Sequence, residues 1–329
     1  MKDIRPIIPF GTHPIETGRY IIETNEIKKL NITLSNWIGN RVSGGIIYGR
    51  PRLGKTRAIK FASSELSNEY GANLPIFNLC CRLYKSPVEN TFFEDILKDV
   101  GHALFKSGKA ADKRERLKKF LIEQGEKSGL QKILIFIDDA QRLVEMHYGW
   151  LMDIYNDLDR YGINLTIILV GQPEIIHQRE AFRSAKKGQI IGRFMVQDYK
   201  FNGIKNFNDI RSCLANYDDT IYPEDMEWSF TRYYFPELFS EGFRLENCAD
   251  DVFTIFTELR AEAQLKKPFE IPMQYLTRIV EYVLRKFGVN GENLDKLSMI
   301  QWREAILESG YIEAEIHEDF MELGGNYHK

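Results

Sequence analysis

The sequence predicts an α/β protein: a parallel five-stranded sheet with helices on its faces, followed by a small helical domain. Three observations carry that expectation. Short apolar runs of strand length alternate with stretches of helical periodicity through the first two thirds of the chain, the pattern that builds a parallel sheet. One such run enters a glycine-rich turn and then a helix without a break. Past residue 203 the strand patterns stop and helical ones take over.

The 329 residues suit a core of about 200 residues plus a smaller domain. The expected boundaries are an N-terminal arm over 1–24, the α/β core over 25–202, a helical lid over 203–311 and an acidic tail over 312–329. Hydrophobic residues make up 43% of the chain, enough to bury a core. A net charge of −3 means that any nucleic-acid binding must come from a local patch. Cys80, Cys81, Cys213 and Cys248 form no C-x-x-C pair and so no metal or disulfide framework. With no signal-peptide pattern and no run of about 18 apolar residues, the expectation is a cytoplasmic protein without membrane contact.

Taken in order, the proline- and glycine-containing leader lacks periodicity and reads as an extended arm. Thr24 is placed to cap an amphipathic helix carrying Ile27, Leu30, Leu34, Trp37 and Ile38. The first strand is Gly45–Tyr48. After the turn and its helix, Pro75–Cys81 reads as the second strand and 87–105 as a helix. Residues 106–119 read as a loop entering a helix that runs to about Lys127. The run Lys132–Asp139 reads as the third strand, and its continuous apolar stretch Ile133–Ile137 marks it as buried on both faces. A helix around Trp150–Leu158, a fourth strand at Leu165–Val170 and a fifth at Phe194–Val196 complete the core. Helices over 203–216, 250–264 and 272–287, the last ended by Gly288, and a short one around Trp302–Ile306 make the second domain.

The turn Gly49-Arg50-Pro51-Arg52-Leu53-Gly54-Lys55-Thr56 fits G-x-x-x-x-G-K-T between a strand and a helix. That context is what a phosphate-binding loop requires, and a chance glycine-rich turn is the plain alternative. Backbone N–H groups would wrap the phosphates of ATP. Lys55 would reach the β- and γ-phosphates, and the Thr56 hydroxyl would hold Mg²⁺.

Hydrolysis also needs a carboxylate for the metal, a group to activate water and positive charge for the transition state. Asp138, ending the third strand, is the expected Mg²⁺-linked carboxylate, and Asp139 the expected base. Otherwise the pair is a turn with a helix cap. Glutamate is more usual in the base position, so slow turnover is expected. Gln172, ending the fourth strand, would address the γ-phosphate or attacking water, unless it only turns the chain before Pro173. Arg193 is the first choice for a finger acting on a neighbouring subunit's nucleotide, with Arg179 and Arg183 as rivals. Arg278, on a lid helix, would touch the γ-phosphate.

Arg19-Tyr20-Ile21, the Gly45–Thr56 segment, Ile137-Asp138-Asp139-Ala140-Gln141 and Val170-Gly171-Gln172-Pro173-Glu174 together resemble an AAA+ ATPase. Within that class the arrangement is similar to the TnsC/TniB-type transposition regulators, including those of CRISPR-associated transposons, as is the late Trp302-x-x-Ala305-Ile306-x-x-Ser309-Gly310-Tyr311 stretch. The resemblance implies a P-loop core with a helical lid. It implies ATP-dependent, sequence-nonspecific assembly on double-stranded DNA as a ring or filament. It also implies a link between a TniQ/TnsD-type target selector and the transposase in DNA transposition. It places the DNA contacts near the second strand. There Arg82 and Lys85 precede the run Lys106, Lys109, Lys113, Arg114, Arg116, Lys118 and Lys119, seven basic residues against Asp112 and Glu115. A solvated helix face is the alternative for such a run.

Three other readings share the core. A secretion-type motor ATPase would carry a similar Val-Gly-Gln-Pro-Glu motif and ignore DNA. A helicase loader or replication initiator would share the DNA-binding core. A scaffold that binds ATP without turnover follows if Asp139 is inactive.

Overall fold

The computed structural model describes residues 4–325. Two compact units emerge. One comprises Ile27–Pro51 and Lys55–Phe201; the other joins the segment up to Glu26, Arg52–Gly54 and the chain from Asn202 onward.

A single helical turn, α1 (Pro14–Thr17), precedes α2 (Asn25–Gly39), whose buried face is Ile27, Leu30, Leu34, Trp37 and Ile38. The α/β unit is built on five parallel strands: β1 (Gly44–Tyr48), β2 (Ile76–Cys80), β3 (Lys132–Asp138), β4 (Asn164–Gly171) and β5 (Gln197–Lys200). Their spatial order is β2-β3-β4-β1-β5. Its helices are α3 (Lys55–Tyr70), α4 (Glu89–Asp99), α5 (Ala110–Ser128), α6 (Glu145–Arg160), α7 (Glu174–Ser184) and α8 (Gly188–Phe194). The central strands β3 and β4 are apolar along nearly their whole length because helices cover both faces. The register aligns Tyr48 with Gly171 and Cys80 with Asp138. The carboxyl ends of β1, β2, β3 and β4 therefore share one edge, where an open parallel sheet binds its ligands.

Two core elements differ from expectation. The fifth strand is Gln197–Lys200, not 194–196. Phe194 and Met195 are fully buried, but as the end of α8 and the turn after it. A short apolar run has the same composition in either setting, so periodicity does not separate them. The helix expected over 87–105 stops at Asp99, where Gly101 takes φ +78°, and the segment to Lys109 is loop.

The second unit is helical: α9 (Phe207–Asp219), α10 (Phe230–Tyr234), α11 (Pro236–Ser240), α12 (Ala249–Glu262), α13 (Met273–Phe287), α14 (Met299–Glu308) and α15 (Tyr311–Gly325). Its core is aromatic-rich, with Tyr217, Phe230, Tyr234, Phe256, Tyr275, Trp302 and Tyr311 all buried.

Here the leader is not an extended arm. His13 is 1% exposed, stacked on Tyr233 at 4.6 Å and ringed by Tyr222, Phe230 and Tyr234. Its Nδ1 accepts the Ile15 N–H and so caps α1. Arg5 lies over the Tyr233 ring and donates to the Tyr233 carbonyl at 2.9 Å.

Nor is the acidic segment a loose tail. It is α15, and Glu315 is buried beside the Arg260 guanidinium at 3.6 Å. Arg260 also donates to the Tyr311 hydroxyl at 2.6 Å, and Lys267 pairs with Asp319 at 3.5 Å. Charges scattered in a terminal stretch read as solvated, yet here Glu315 meets Arg260 of α12, and Glu318 and Asp319 meet Lys267 in the α12–α13 connection. The Glu322 side chain and residues 326–329 lie outside the described residues.

Candidate functional site

The phosphate-loop sequence folds as its motif requires. β1 ends at Tyr48 and α3 begins at Lys55. Gly54 takes φ +97°, a conformation that an L side chain would strain, and Arg52 takes φ +67°. The Lys55 ammonium donates to the Gly49 and Arg50 carbonyls at 2.7 and 2.8 Å, which holds it at the mouth of the loop. Burial pushes the Lys55 pKa down, against the opposing pull of Asp138, Asp139 and Glu174. Arg52, Leu53 and Gly54 cluster with the helical unit, where the Gln274 N–H donates to the Arg52 carbonyl at 3.2 Å and the Arg52 guanidinium is bonded to the Tyr275 hydroxyl.

The Thr56 hydroxyl donates to Asp138 Oδ2 at 2.6 Å. The two oxygens expected to face Mg²⁺ are thus already adjacent. Among the described residues there is no group of three or more His, Cys, Asp or Glu that could hold a metal by itself. That donor set fits Mg²⁺, which commonly takes one or two protein ligands and completes its shell with phosphate oxygens and water. Thr56 and Asp138 would hold the ion, which would neutralise charge building up on the phosphates.

Asp139 is in the left-handed region, φ +54°, ψ +33°, at the head of a single 3₁₀ turn (Ala140–Arg142). Its N–H donates to Asp138 Oδ1 at 2.9 Å. The Gln141 amide donates to its Oδ1 at 3.2 Å, and Arg142 pairs with its Oδ2 at 3.1 Å. Arg142 donates as well to the Cys81 carbonyl, just past the end of β2, at 3.0 Å. Each carboxylate oxygen keeps a lone pair for a water. The expected base therefore sits at the sheet edge with its position fixed from two sides. Gln141 and Arg142 are roles that the sequence reading missed. The available signal was two polar residues within one turn after an acidic pair that ends a buried strand.

Gln172 follows β4 at the same edge. Its N–H donates to Gln141 Oε1 at 3.2 Å, and its side-chain amide makes no hydrogen bond among the described residues. Arg193 sits elsewhere. Ser43, just before β1, donates to the Gly192 carbonyl at 3.3 Å, which places Arg193 at the amino end of β1. The five residues of β1 separate the two ends by about 16 Å. Arg193 donates to Asn156 Oδ1 at 3.0 Å and lies over the Tyr155 ring. At that distance it cannot serve its own chain's nucleotide. Of its rivals, Arg179 pairs with Asp198 at 2.7 Å and Arg183 with Glu180 at 2.8 Å. Arg278 is exposed on α13, and its side chain makes no hydrogen bond or ion pair among the described residues.

The basic run changes most against expectation. Lys113 is 1% exposed and bonded to Glu94, so it cannot reach a DNA phosphate. Arg114 pairs with Glu89 and Asp153, both at 3.4 Å, and Lys118 with Glu115 and Asp157. Arg116 donates to the Leu104 and Ser107 carbonyls, and Arg82 pairs with Asp95 and Asp99. The reason is that α5 packs against α4 and α6, whose acids neutralise its basic face. Lys85, Lys106, Lys109 and Lys119 remain exposed.

Residues 41–178 match the family model of the AAA domain. Over that span the α/β unit is similar to the AAA domain. A curated relative, the ORC1-type DNA replication protein 2 of Thermoplasma acidophilum, is 24% identical over 177 residues, 47% of this chain and 41% of that protein. The match thus spans about two fifths of the relative's length. Among solved structures, the ORC2 protein of Aeropyrum pernix, as its ADPNP–ADP complexes, is similar over 90% of this chain and 71% of its own, with TM-score 0.54 and 16% identity. A Walker-type ATPase of Pyrococcus abyssi is similar over 93% and 76%, with TM-score 0.52 and 15% identity. These two likenesses establish the shared fold. Among the described residues, no helix is long and apolar enough to cross a membrane.

Proposed function

We propose that this chain is an ATP-hydrolysing switch of the replication-initiator or helicase-loader kind, whose nucleotide state governs its assembly on duplex DNA. The observation that carries the nucleotide part is the 2.6 Å bond between Thr56 and Asp138 beside the Lys55 ammonium. With both residues and Asp139 at one sheet edge, it supports a shared phosphate, metal and water site there. In this reading Gly49–Thr56 hold the phosphates, and Thr56 with Asp138 hold Mg²⁺. Asp139 activates water, Gln172 addresses the γ-phosphate and Arg193 acts on a neighbouring copy. The DNA part is supported by the likeness to the ORC1-type DNA replication protein 2 of Thermoplasma acidophilum.

A transposition regulator of the TnsC/TniB type is the second reading, favoured by the Arg19–Ile21, Val170–Glu174 and Trp302–Tyr311 stretches. It predicts the same nucleotide-gated assembly, as a ring or filament, with a transposase and a TniQ/TnsD-type selector as partners. DNA contacts in either reading fall to Lys85, Lys106, Lys109 and Lys119, as sequence-independent and salt-sensitive phosphate contacts.

The test is binding of the purified chain to a random-sequence duplex with ATP, with ADP and without nucleotide. Tighter association with ATP that weakens as salt rises is expected. Nucleotide binding with no DNA association at low salt would overturn the DNA part and leave a motor or scaffold.

A further inference from the structure

We propose that Gln141 is a positioning residue for hydrolysis: its side-chain amide bridges Asp139 to the end of β4 and sets where the base stands. The inference rests on the ATPase reading and assigns a new residue within that site. Gln141 Oε1 accepts the Gln172 N–H at 3.2 Å, and its Nε2 donates to Asp139 Oδ1 at 3.2 Å. The first bond fixes the amide's orientation. A backbone N–H only donates, so Oε1 must face β4, and the NH₂ is left facing the carboxylate.

The packing has been shaped to allow this bridge. A Cβ at Gly171 would come within 2.6 Å of Gln141 Oε1, so the amide occupies space that only glycine leaves open. The Gln141 backbone is itself held from below. Gln178 Nε2 donates to the Gln141 carbonyl at 2.9 Å and to the Leu143 carbonyl at 2.8 Å. The buried Tyr148 hydroxyl then donates to Gln178 Oε1 at 3.3 Å. A chain of hydrogen bonds thus runs from the core helix α6 through α7 to Asp139. Asp139 needs such support, because a non-glycine residue in the left-handed region holds its place only when its surroundings fix it. Gln141 acts through Asp139 and does not itself meet substrate.

The two functions of the amide are separable by substitution. Gln141→Glu keeps the acceptor for the Gln172 N–H but loses the donor to Asp139. Gln141→Met loses both at similar volume. Gly171→Ala leaves Gln141 intact but pushes its amide away. All three variants should lose about tenfold or more in kcat, on the scale that a misplaced catalytic group costs. KM and the affinity for a non-hydrolysable ATP analogue should stay within about twofold, since the phosphate loop is untouched.

Single-turnover and steady-state phosphate release would be measured alongside analogue binding and melting temperature. Gln141→Glu with wild-type kcat overturns the proposal. So does a loss of kcat matched by equal losses of analogue affinity and stability, since that marks a merely structural residue. A wild-type chain that binds ATP but releases no phosphate overturns instead the ATPase reading underneath, and with it this role.

Discussion

Lys113 separates a structural from a nucleic-acid role for the basic α5. Its side chain is 1% exposed, and its ammonium is bonded to Glu94, whose own side chain is 31% exposed. Lys113→Ala removes three buried methylene groups beyond Cβ, worth about 2.4 kcal/mol at roughly 0.8 kcal/mol each. The lost ion pair adds little, because Glu94 can take up water once its partner is gone. A total of about 2–3 kcal/mol should lower the melting temperature of the α/β unit by about 5–10 °C, taking about 2–4 °C per kcal/mol for a domain of this size. Lys113→Met keeps the apolar stem and should recover most of that loss. Urea denaturation of both variants gives the stabilities, and fluorescence anisotropy on a labelled duplex at low salt gives DNA affinity. Both variants should bind DNA like wild type at a temperature where they are folded, whereas Lys106→Glu, Lys109→Glu and Lys119→Glu together should weaken binding. Undiminished stability in Lys113→Ala with weakened DNA binding would refute the reasoning, because it would put the Lys113 ammonium on the surface.

Two further outcomes follow from particular contacts. Burial, and secondarily the Arg5 charge, push His13 down to about 4 from an ordinary 6.5. The unfolded chain therefore binds a proton before the folded one does, and stability falls as pH drops from 6.5 towards 4, by at most about 3 kcal/mol from this group. His13→Asn keeps a capping acceptor and removes the titration, so wild-type and variant stabilities from urea denaturation should diverge across that window; parallel curves would contradict the burial argument. Arg193, at the amino end of β1, should act only in trans. Arg193→Ala mixed with Lys55→Ala should recover ATPase above the sum of the two alone, and strict additivity would remove the finger role.

The strand–turn–helix around Gly49–Thr56, the place of Asp138 at the end of β3 and the parallel sheet were legible in the sequence because each rests on a local rule. Glycines and Lys-Thr at fixed spacing read directly, as do continuously apolar strands. What stayed hidden depends on partners distant in the chain. Lys113 reads as surface charge until α4 brings Glu94 beneath it, nineteen residues earlier. Glu315 reads as tail until Arg260 faces it, and His13 reads as arm until Tyr222, Phe230, Tyr233 and Tyr234 close around it. Phe194 failed for a different reason: a buried aromatic satisfies strand and helix patterns equally over three residues. Gln141 was in view as part of a motif, but its role depends on Gly171, thirty residues on, lacking a side chain.

The most direct test of the account is Mg²⁺-dependent phosphate release by wild type, Lys55→Ala and Asp139→Asn, with ATP binding measured separately. The account predicts slow release by wild type and loss of both binding and release in Lys55→Ala. In Asp139→Asn it predicts ATP binding near the wild-type level with turnover reduced by about a hundredfold or more, the scale of a missing general base. Asp139→Asn releasing phosphate at the wild-type rate would contradict it, as would Lys55→Ala binding ATP as tightly as wild type.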